Sequence, residues 1–261
     1  MKPLLKWVGG KSAILPVIRK HFPEKVKTYY EPFVGGGAVL FDTDFRRVHV
    51  NDANAELVNF YRTVASFPRM LMWEVDKLAA QYSEAFFYQL RSETPVDSIA
   101  KAARFLFLNR TCFNGLYRVN RAGNFNVPFC KRSECPNLYD VESVLDVHDR
   151  LACATISCED FEKIIDLAGD GDFVYCDPPY IPVSKTAKFT SYTAGGFTGD
   201  DHHRLAKACT GAWNRGAKVL ISNSDSPLLH KLYPEAELQR IVAPRRINRG
   251  PDAIEYLVKM F

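Results

Sequence analysis

Residues 177–180 read Asp-Pro-Pro-Tyr and follow a short apolar run, Asp172–Cys176. Two consecutive prolines fix φ and remove two backbone donors, so the chain leaves the strand stiffly with its carbonyls open. The Asp177 carboxylate and the Pro178 carbonyl can then accept hydrogen bonds from one NH2 group. Pro179 stiffens the turn, and the Tyr180 ring offers a flat face to a planar base. The chemistry that such a tetrad serves is methylation of an exocyclic amine. A Pro-Pro turn that merely closes a buried strand would use the same residues, so the rest of the chain must decide.

A second constellation is Glu31-Pro-Phe33-Val-Gly35-Gly-Gly37, which follows a strand-like run, Val26–Glu31, and is expected to open a helix. Its glycines let the backbone turn tightly and approach a ligand where a Cβ would clash. Asp52 comes at the end of the next strand-like run, Arg47–Asn51, where a carboxylate can hold ribose hydroxyls. Strand, glycine turn and spaced acid point to a nucleoside-type cofactor, with a glycine turn for simple packing as the alternative. The pattern is not G-x-G-x-x-G and an acid leads it, which favours S-adenosylmethionine over NAD. A pyrophosphate needs open helix N–H groups, whereas a sulfonium amino acid needs carboxylate and carbonyl partners. Lys6-Trp7-Val-Gly-Gly-Lys11-Ser12 looks like a phosphate loop but fails, because Leu5 stands where the first glycine is required and no strand precedes it. Lys11 can instead pair with a cofactor carboxylate, and Trp7 can wall the pocket.

The elements that must position these residues fall into three segments. The first, 1–56, reads as a helix over Ala13–Phe22, then strand, glycine loop, helix and strand. The second, 57–145, is helical and then rich in turns. Asp97 is expected to cap a helix running to Asn109, and Asn114-Gly115 and Ala122-Gly123-Asn124 signal an exposed hairpin or loop pair. The third, 146–261, returns to alternation, with strands expected at Ala154–Ser157, Phe173–Cys176, Lys218–Ser222, Leu238–Val242 and Ile254–Lys259. The middle segment therefore reads as an insertion into one α/β domain.

With 261 residues, 47% of them hydrophobic, the chain can bury a full core. No apolar run reaches the length of a membrane span and the N-terminus does not read as a signal peptide. Seven scattered cysteines without a CxxC pair suggest reduced thiols in a cytoplasmic protein and no metal site. The net charge is only +4, yet Lys101–Arg132 holds seven basic residues and no acid. Because Phe, Tyr, Asn and Gly are interleaved there, the run suits phosphates and bases together. A second acid-free strip holds Arg240, Arg245, Arg246 and Arg249. His202 and His203 are expected on a solvated helix start, with no chemistry assigned.

Taken in order, Lys-Trp-x-Gly-Gly-Lys at 6–11, Glu-Pro-Phe-x-Gly-x-Gly at 31–37, Asn-Arg-x-x-x-Asn-Gly-Leu at 109–116, Phe-Asn-Val-Pro at 125–128 and Asp-Pro-Pro-Tyr at 177–180 resemble the Dam-type (class alpha, D12) DNA adenine-N6 methyltransferases. The resemblance extends over nearly the whole chain, including Phe189-Thr-x-Tyr192 and Ser222-Asn-Ser224. It implies an α/β fold: a Rossmann-like S-adenosylmethionine-dependent sheet, formed by 1–56 and 146–261, with a mainly helical target-recognition insertion, 57–145, that carries a β-hairpin.

The resemblance also implies roles. Trp7, Lys11, Asp52 and Asp177 would contact S-adenosylmethionine, with Glu31, Phe33, Gly35 and the Glu159-Asp160-Phe161 turn lining its pocket. An adenine would be flipped out of double-stranded DNA, because its amine is unreachable while paired. Arg118 would read a guanine edge, and Leu116 and Pro128 would touch thymine methyls. Phe113 would fill the gap left by the flipped base. Asn114 and Asn120 would orient the hairpin, Lys6 would reach the outer guanine, and Lys131 would join the DNA face. Thr111-Cys112, Phe113, Tyr117 and the stretch 130–136 depart from the residues usual in the family. The implied target is GATC, with a longer GAT-containing site such as GATATC, or an RNA or protein amide, as alternatives. A monomer in solution is expected.

Overall fold

The computed structural model describes residues 1–120, 122–182, 196–243 and 253–261. Phe189, Tyr192, Arg245, Arg246 and Arg249, named above, lie outside the described residues.

The chain runs α1 (Leu15–Arg19), β1 (Tyr29–Glu31), β2 (Val48–Asn51), α2 (Ala55–Ser66), α3 (Pro68–Ala79), α4 (Glu84–Ser92), α5 (Ser98–Thr111), α6 (Val141–Ala152), β3 (Ala154–Ser157), α7 (Phe161–Ile165), β4 (Phe173–Cys176), α8 (Gly199–Asn214), β5 (Lys218–Ser224), α9 (Pro227–Leu232), β6 (Glu237–Ala243) and β7 (Ala253–Met260). The strands form one seven-stranded sheet in the order β3-β2-β1-β4-β5-β7-β6. Neighbours from β3 to β5 pair in parallel, and β7 pairs antiparallel with both β5 and β6. This is the α/β, Rossmann-like methyltransferase sheet that the sequence led us to expect.

Both faces of the sheet are covered at β4, which is why that strand is buried at every position rather than alternating with polar residues. On β4, Phe173 and Tyr175 point into a core shared with α2, α5 and α6, while Val174 and Cys176 point into one shared with α7, α8 and α9. Side-chain caps start most of the helices. Asn54 accepts from the N–H groups of Glu56 and Leu57, Asp97 from those of Ile99 and Ala100, and Thr198 forms a reciprocal box with Asp201.

The chain runs outward from β1 through β2 to β3, then crosses back to lay β4 on the other side of β1. That reversal opens a crevice at the carboxyl ends of β1 and β4, where ligands of open α/β sheets bind. Glu31 and Asp177 stand at those two ends.

Several expectations need correction. The helix expected over Ala13–Phe22 is a 3-10 turn, Lys11–Ala13, followed by the short α1. Pro23 disfavours a helical residue before it and so ends the helix early. The glycine loop opens no α-helix. Gly35 and Gly37 take φ of +47° and +73°, and the chain reaches only a 3-10 turn, Leu40–Asp42. His202 is buried rather than solvated, because the capping box at Thr198 directs the following turn of α8 inward, where the imidazole packs edge-on against Phe197 with ring centroids 4.8 Å apart. Burial pushes the His202 pKa down to about 4, so it is neutral.

Arg104 is the clearest case of a basic residue that phosphates cannot reach. It is buried, donating through Nε to the Leu90 carbonyl at 2.9 Å and through Nη2 to that of Arg91 at 2.8 Å, both at the carboxyl end of α4. Its Nη1 pairs with Glu56 in the first turn of α2 at 3.0 Å. Orphan carbonyls and the negative end of a helix dipole thus hold the charge. Replacing Arg104 with Met keeps the stem but no donor and should lower the unfolding free energy by about 2–4 kcal/mol, read from urea denaturation.

Candidate functional site

The glycine loop is shaped by what packs on it. A Cβ at Gly35 would lie 2.9 Å from Trp7 Nε1, one at Gly36 2.8 Å from Trp7 Cβ, and one at Gly37 2.4 Å from the Phe41 ring. The loop is anchored to β2 by Val34 N–H donating to the Asn51 carbonyl at 2.9 Å. Asn51 then joins three segments. Its Nδ2 donates to the carbonyls of Pro32 at 3.1 Å and Glu159 at 3.0 Å, and its Oδ1 accepts from Glu159 N–H at 2.8 Å. Asp52 holds the loop from below, accepting from Gly35 N–H at 3.0 Å and Asn54 N–H at 2.9 Å.

Across the crevice, Asp177 leaves β4 beside Lys11. Lys11 Nζ lies 2.7 Å from Asp177 Oδ2, donates to the Gly9 carbonyl at 2.7 Å and sits 4.9 Å from the centroid of the Tyr180 ring. The other Asp177 oxygen, Oδ1, is buried without a hydrogen-bond partner. Beyond Pro178 and Pro179, the Tyr180 hydroxyl donates to Glu255 Oε2 on β7 at 2.7 Å. The chain after Tyr180 is tied to the end of β5: Ile181 N–H donates to Asn223 Oδ1 at 3.0 Å, and Ser224 Oγ donates to the Ile181 carbonyl at 2.6 Å. Ser222 meets Tyr175 at 2.8 Å, oxygen to oxygen. The Ser222-Asn-Ser224 motif therefore fixes the exit of the Asp-Pro-Pro-Tyr turn.

These two sides face one cavity of about 840 Å3. It is lined by Trp7, Lys11, Glu31, Phe33, Gly35, Asp52, Glu159, Asp160, Phe161, Asp177, Pro178, Pro179 and Tyr180, and by Phe113, Asn114 and Leu116 from the turn-rich segment. The Phe33 and Phe161 rings lie 5.4 Å apart, and Asp160 caps α7 while pairing with Arg204 at 2.8 Å. Three of the carboxyl groups that line the cavity are raised above their ordinary values. Burial pushes Glu31 up to about 8, against the Tyr29 hydroxyl that donates to it at 2.8 Å. Burial likewise lifts Asp52 to about 6 despite its two backbone donors. Asp177 is also raised to about 6 by burial, with Lys11 acting in the opposite direction.

The turn-rich segment presents two faces. Tyr117, Val119, Phe125, Val127 and Phe129 are buried, whereas Phe113, Asn114, Arg118, Asn120, Pro128 and Lys131 are exposed, as is Lys6. Isolated bridges join Cys112 to Phe129 and Val119 to Phe125. The expected exposed hairpin is therefore exposed on one face only. Arg118 Nε donates to Asn126 Oδ1 at 2.8 Å, and Asn120 Oδ1 accepts from Ala122 N–H and Asn124 N–H, both at 3.0 Å. Asn114 takes φ of +56°. Asn109 exchanges hydrogen bonds with the Lys6 backbone at 2.9 and 2.8 Å, and a Cβ at Gly115 would lie 2.3 Å from the Lys6 stem. Tyr117 stacks on Trp7 with centroids 5.2 Å apart, which explains an aromatic residue before Arg118.

Sequence reasoning missed Asn51 and Glu255. Each lies on a strand, and its partners are remote in the chain.

A family model described as D12 class N6 adenine-specific DNA methyltransferase matches residues 7–247. The chain is 39% identical to the type II methyltransferase M.MjaIII of Methanocaldococcus jannaschii, over 95% of this chain and 93% of that protein. It is 36% identical to the DNA adenine methylase of Escherichia coli K12, over 95% and 89%. It is also 38% identical to the DNA N-6-adenine-methyltransferase of Escherichia phage P1, over 90% of this chain and 31% of that protein. With this match over most of its length and these identities, the chain belongs to the D12 class of N6 adenine-specific DNA methyltransferases.

Proposed function

We propose that the protein transfers a methyl group from S-adenosylmethionine to the N6 amine of an adenine flipped out of duplex DNA, within GATC. The observation that carries this reading is the partnerless, buried Asp177 Oδ1 beside Pro178, in a cavity shared by the glycine loop and the Phe113-Asn114 turn. An amine entering there meets an acceptor already desolvated and held in place, the arrangement that lowers a barrier by positioning and preorganised charge.

The residues fit the cofactor as well as the base. Glycines that tolerate no Cβ and carboxyls at Glu31, Asp52 and Asp177 suit a nucleoside bearing positive charge. S-adenosylmethionine, when bound, supplies an electrophilic methyl on a sulfonium. Asp52 is placed to accept from ribose hydroxyls, Trp7, Phe33 and Phe161 wall the pocket, and Gly35 and the Glu159-Asp160 turn close it. Lys11 keeps Asp177 Oδ2 engaged, so Oδ1 and the Pro178 carbonyl hold the amine while Tyr180 stacks on the ring. No base is needed before attack, because the proton leaves after the nitrogen becomes cationic.

Residues 57–145 form the proposed reading unit. Arg118 is assigned to a guanine edge, Leu116 and Pro128 to thymine methyls, and Phe113 to the gap left by the adenine. Asn114 and Asn120 shape the turns, while Lys6 and Lys131 extend the DNA face.

Labelled methyl transfer to matched duplexes containing GATC, GATATC or no GAT tests the reading. Incorporation confined to GATC is expected; incorporation at GATATC as well would move the site, and none into any DNA would overturn the function. Asp177→Ala should reduce transfer by about a thousandfold while leaving duplex affinity in place, measured by rapid quench and by anisotropy. Arg118→Ala should cost about 1–3 kcal/mol at one base pair only; equal weakening on every sequence would make it a phosphate contact. A cationic ligand favours the ionised forms of Glu31, Asp52 and Asp177, whose free-state values are raised to about 8, 6 and 6. Cofactor binding should therefore release protons and tighten as pH rises from 6 towards 8, which calorimetry in two buffers of different ionisation enthalpy would detect.

A further inference from the structure

The Tyr180 hydroxyl has one proton and two carboxylates within its influence. It donates that proton to Glu255 Oε2 at 2.7 Å, and it also lies close enough to Asp177 to favour that group's ionised form. Asp177 Oδ2 is already taken by Lys11 at 2.7 Å. If the Tyr180 proton turned to Asp177, it would compete with an incoming amine for the carboxylate oxygen that Lys11 leaves open. In the structure it does not turn, and Asp177 Oδ1 stays buried and partnerless.

We infer that Glu255 is a positioning residue for methyl transfer: by holding the Tyr180 hydroxyl proton it keeps Asp177 Oδ1 open for the target amine. This deepens the proposed reading and rests on it. The fold makes the role specific. Glu255 is set by its register on β7, opposite Ser224 of β5 on one side and Ile241 of β6 on the other, and it lines the cavity. The strand that carries it is thus locked between two neighbours. A charge-assisted hydrogen bond of this kind is among the stronger ones a neutral hydroxyl can make. Burial, with the charges of Asp177 and Glu255, holds the Tyr180 hydroxyl protonated, so the proton is always present and must be placed somewhere. The groups that face Asp177 are Lys11, Glu31, Tyr175, Tyr180 and Glu255; burial raises its pKa most, the charge of Glu255 adds to that, and Lys11 and Tyr180 act in the opposite direction.

The test is the single-turnover rate of methyl transfer to duplex DNA at saturating cofactor, across pH, for the wild type, E255Q, Y180F and Y180F/E255Q. A glutamine at 255 holds the phenol proton only through a neutral amide oxygen and can equally donate to the phenol oxygen, so the Tyr180 proton is freer to turn towards Asp177. E255Q should lower the rate about tenfold or more, the loss expected for one charge-assisted hydrogen bond. Its acid limb should move to lower pH, because a charge that raises the Asp177 pKa is gone. Cofactor and duplex affinities should stay within about twofold of wild type, since E255Q removes one hydrogen bond that touches neither ligand. Removing the hydroxyl removes the misplaced proton, so Y180F/E255Q should transfer at the rate of Y180F alone and faster than E255Q. A wild-type rate for E255Q, a double variant slower than both single variants, or lost cofactor binding in E255Q would overturn the inference. A wild type that methylates no DNA would instead defeat the adenine reading itself, and the inference with it.

Discussion

The buried pair between Lys11 and Asp177 is the contact around which the site is arranged. Lys11 is buried, and a charge removed from water is stable only with partners placed around it. Lys11 has the Gly9 carbonyl and the Tyr180 ring as further partners, and Asp177 directly follows β4, a strand buried along its whole length. The pair pins the N-terminal segment across the crevice. That segment then does two other things on the way: Trp7 moulds the glycine loop, and the Lys6 backbone is strapped to Asn109 at the end of α5. One short stretch of chain thereby touches the glycine loop, the Asp-Pro-Pro-Tyr turn and the turn-rich segment.

The sheet supplies the other half of the geometry. The reversal of strand order between β1 and β4 sets two carboxylates at adjacent strand ends, and burial raises both. Such groups are costly in an empty crevice and become favourable against positive charge. The acidity of the cavity and its position are therefore two results of the same topology.

Much of this was legible in the sequence because the informative residues are local. Asp-Pro-Pro-Tyr, the glycine run and the capping Asp97 declare their geometry through neighbours in the chain, and each strand expected in the last segment appears within about two residues, the usual scatter of element ends. The failures share a physical cause. Arg104 reads as part of a basic surface until α4 and α2 are seen to close around it. Asn51 and Glu255 are ordinary strand residues whose partners lie far off in sequence. The absent helix after Gly37 was a local error, because glycines at positive φ prevent the helix that their loop was expected to begin.

The order of strands has a consequence for how the molecule comes into being. The site draws on residues from Trp7 to Glu255, and β7, late in the chain, is inserted between β5 and β6. Contacts of such long sequence separation form slowly, and a growing chain acquires its N-terminal parts first. The glycine loop and reading segment can take shape while the Tyr180 hydroxyl still lacks its partner. The cavity is therefore complete only once β7 has joined the sheet and Glu255 meets the Tyr180 hydroxyl.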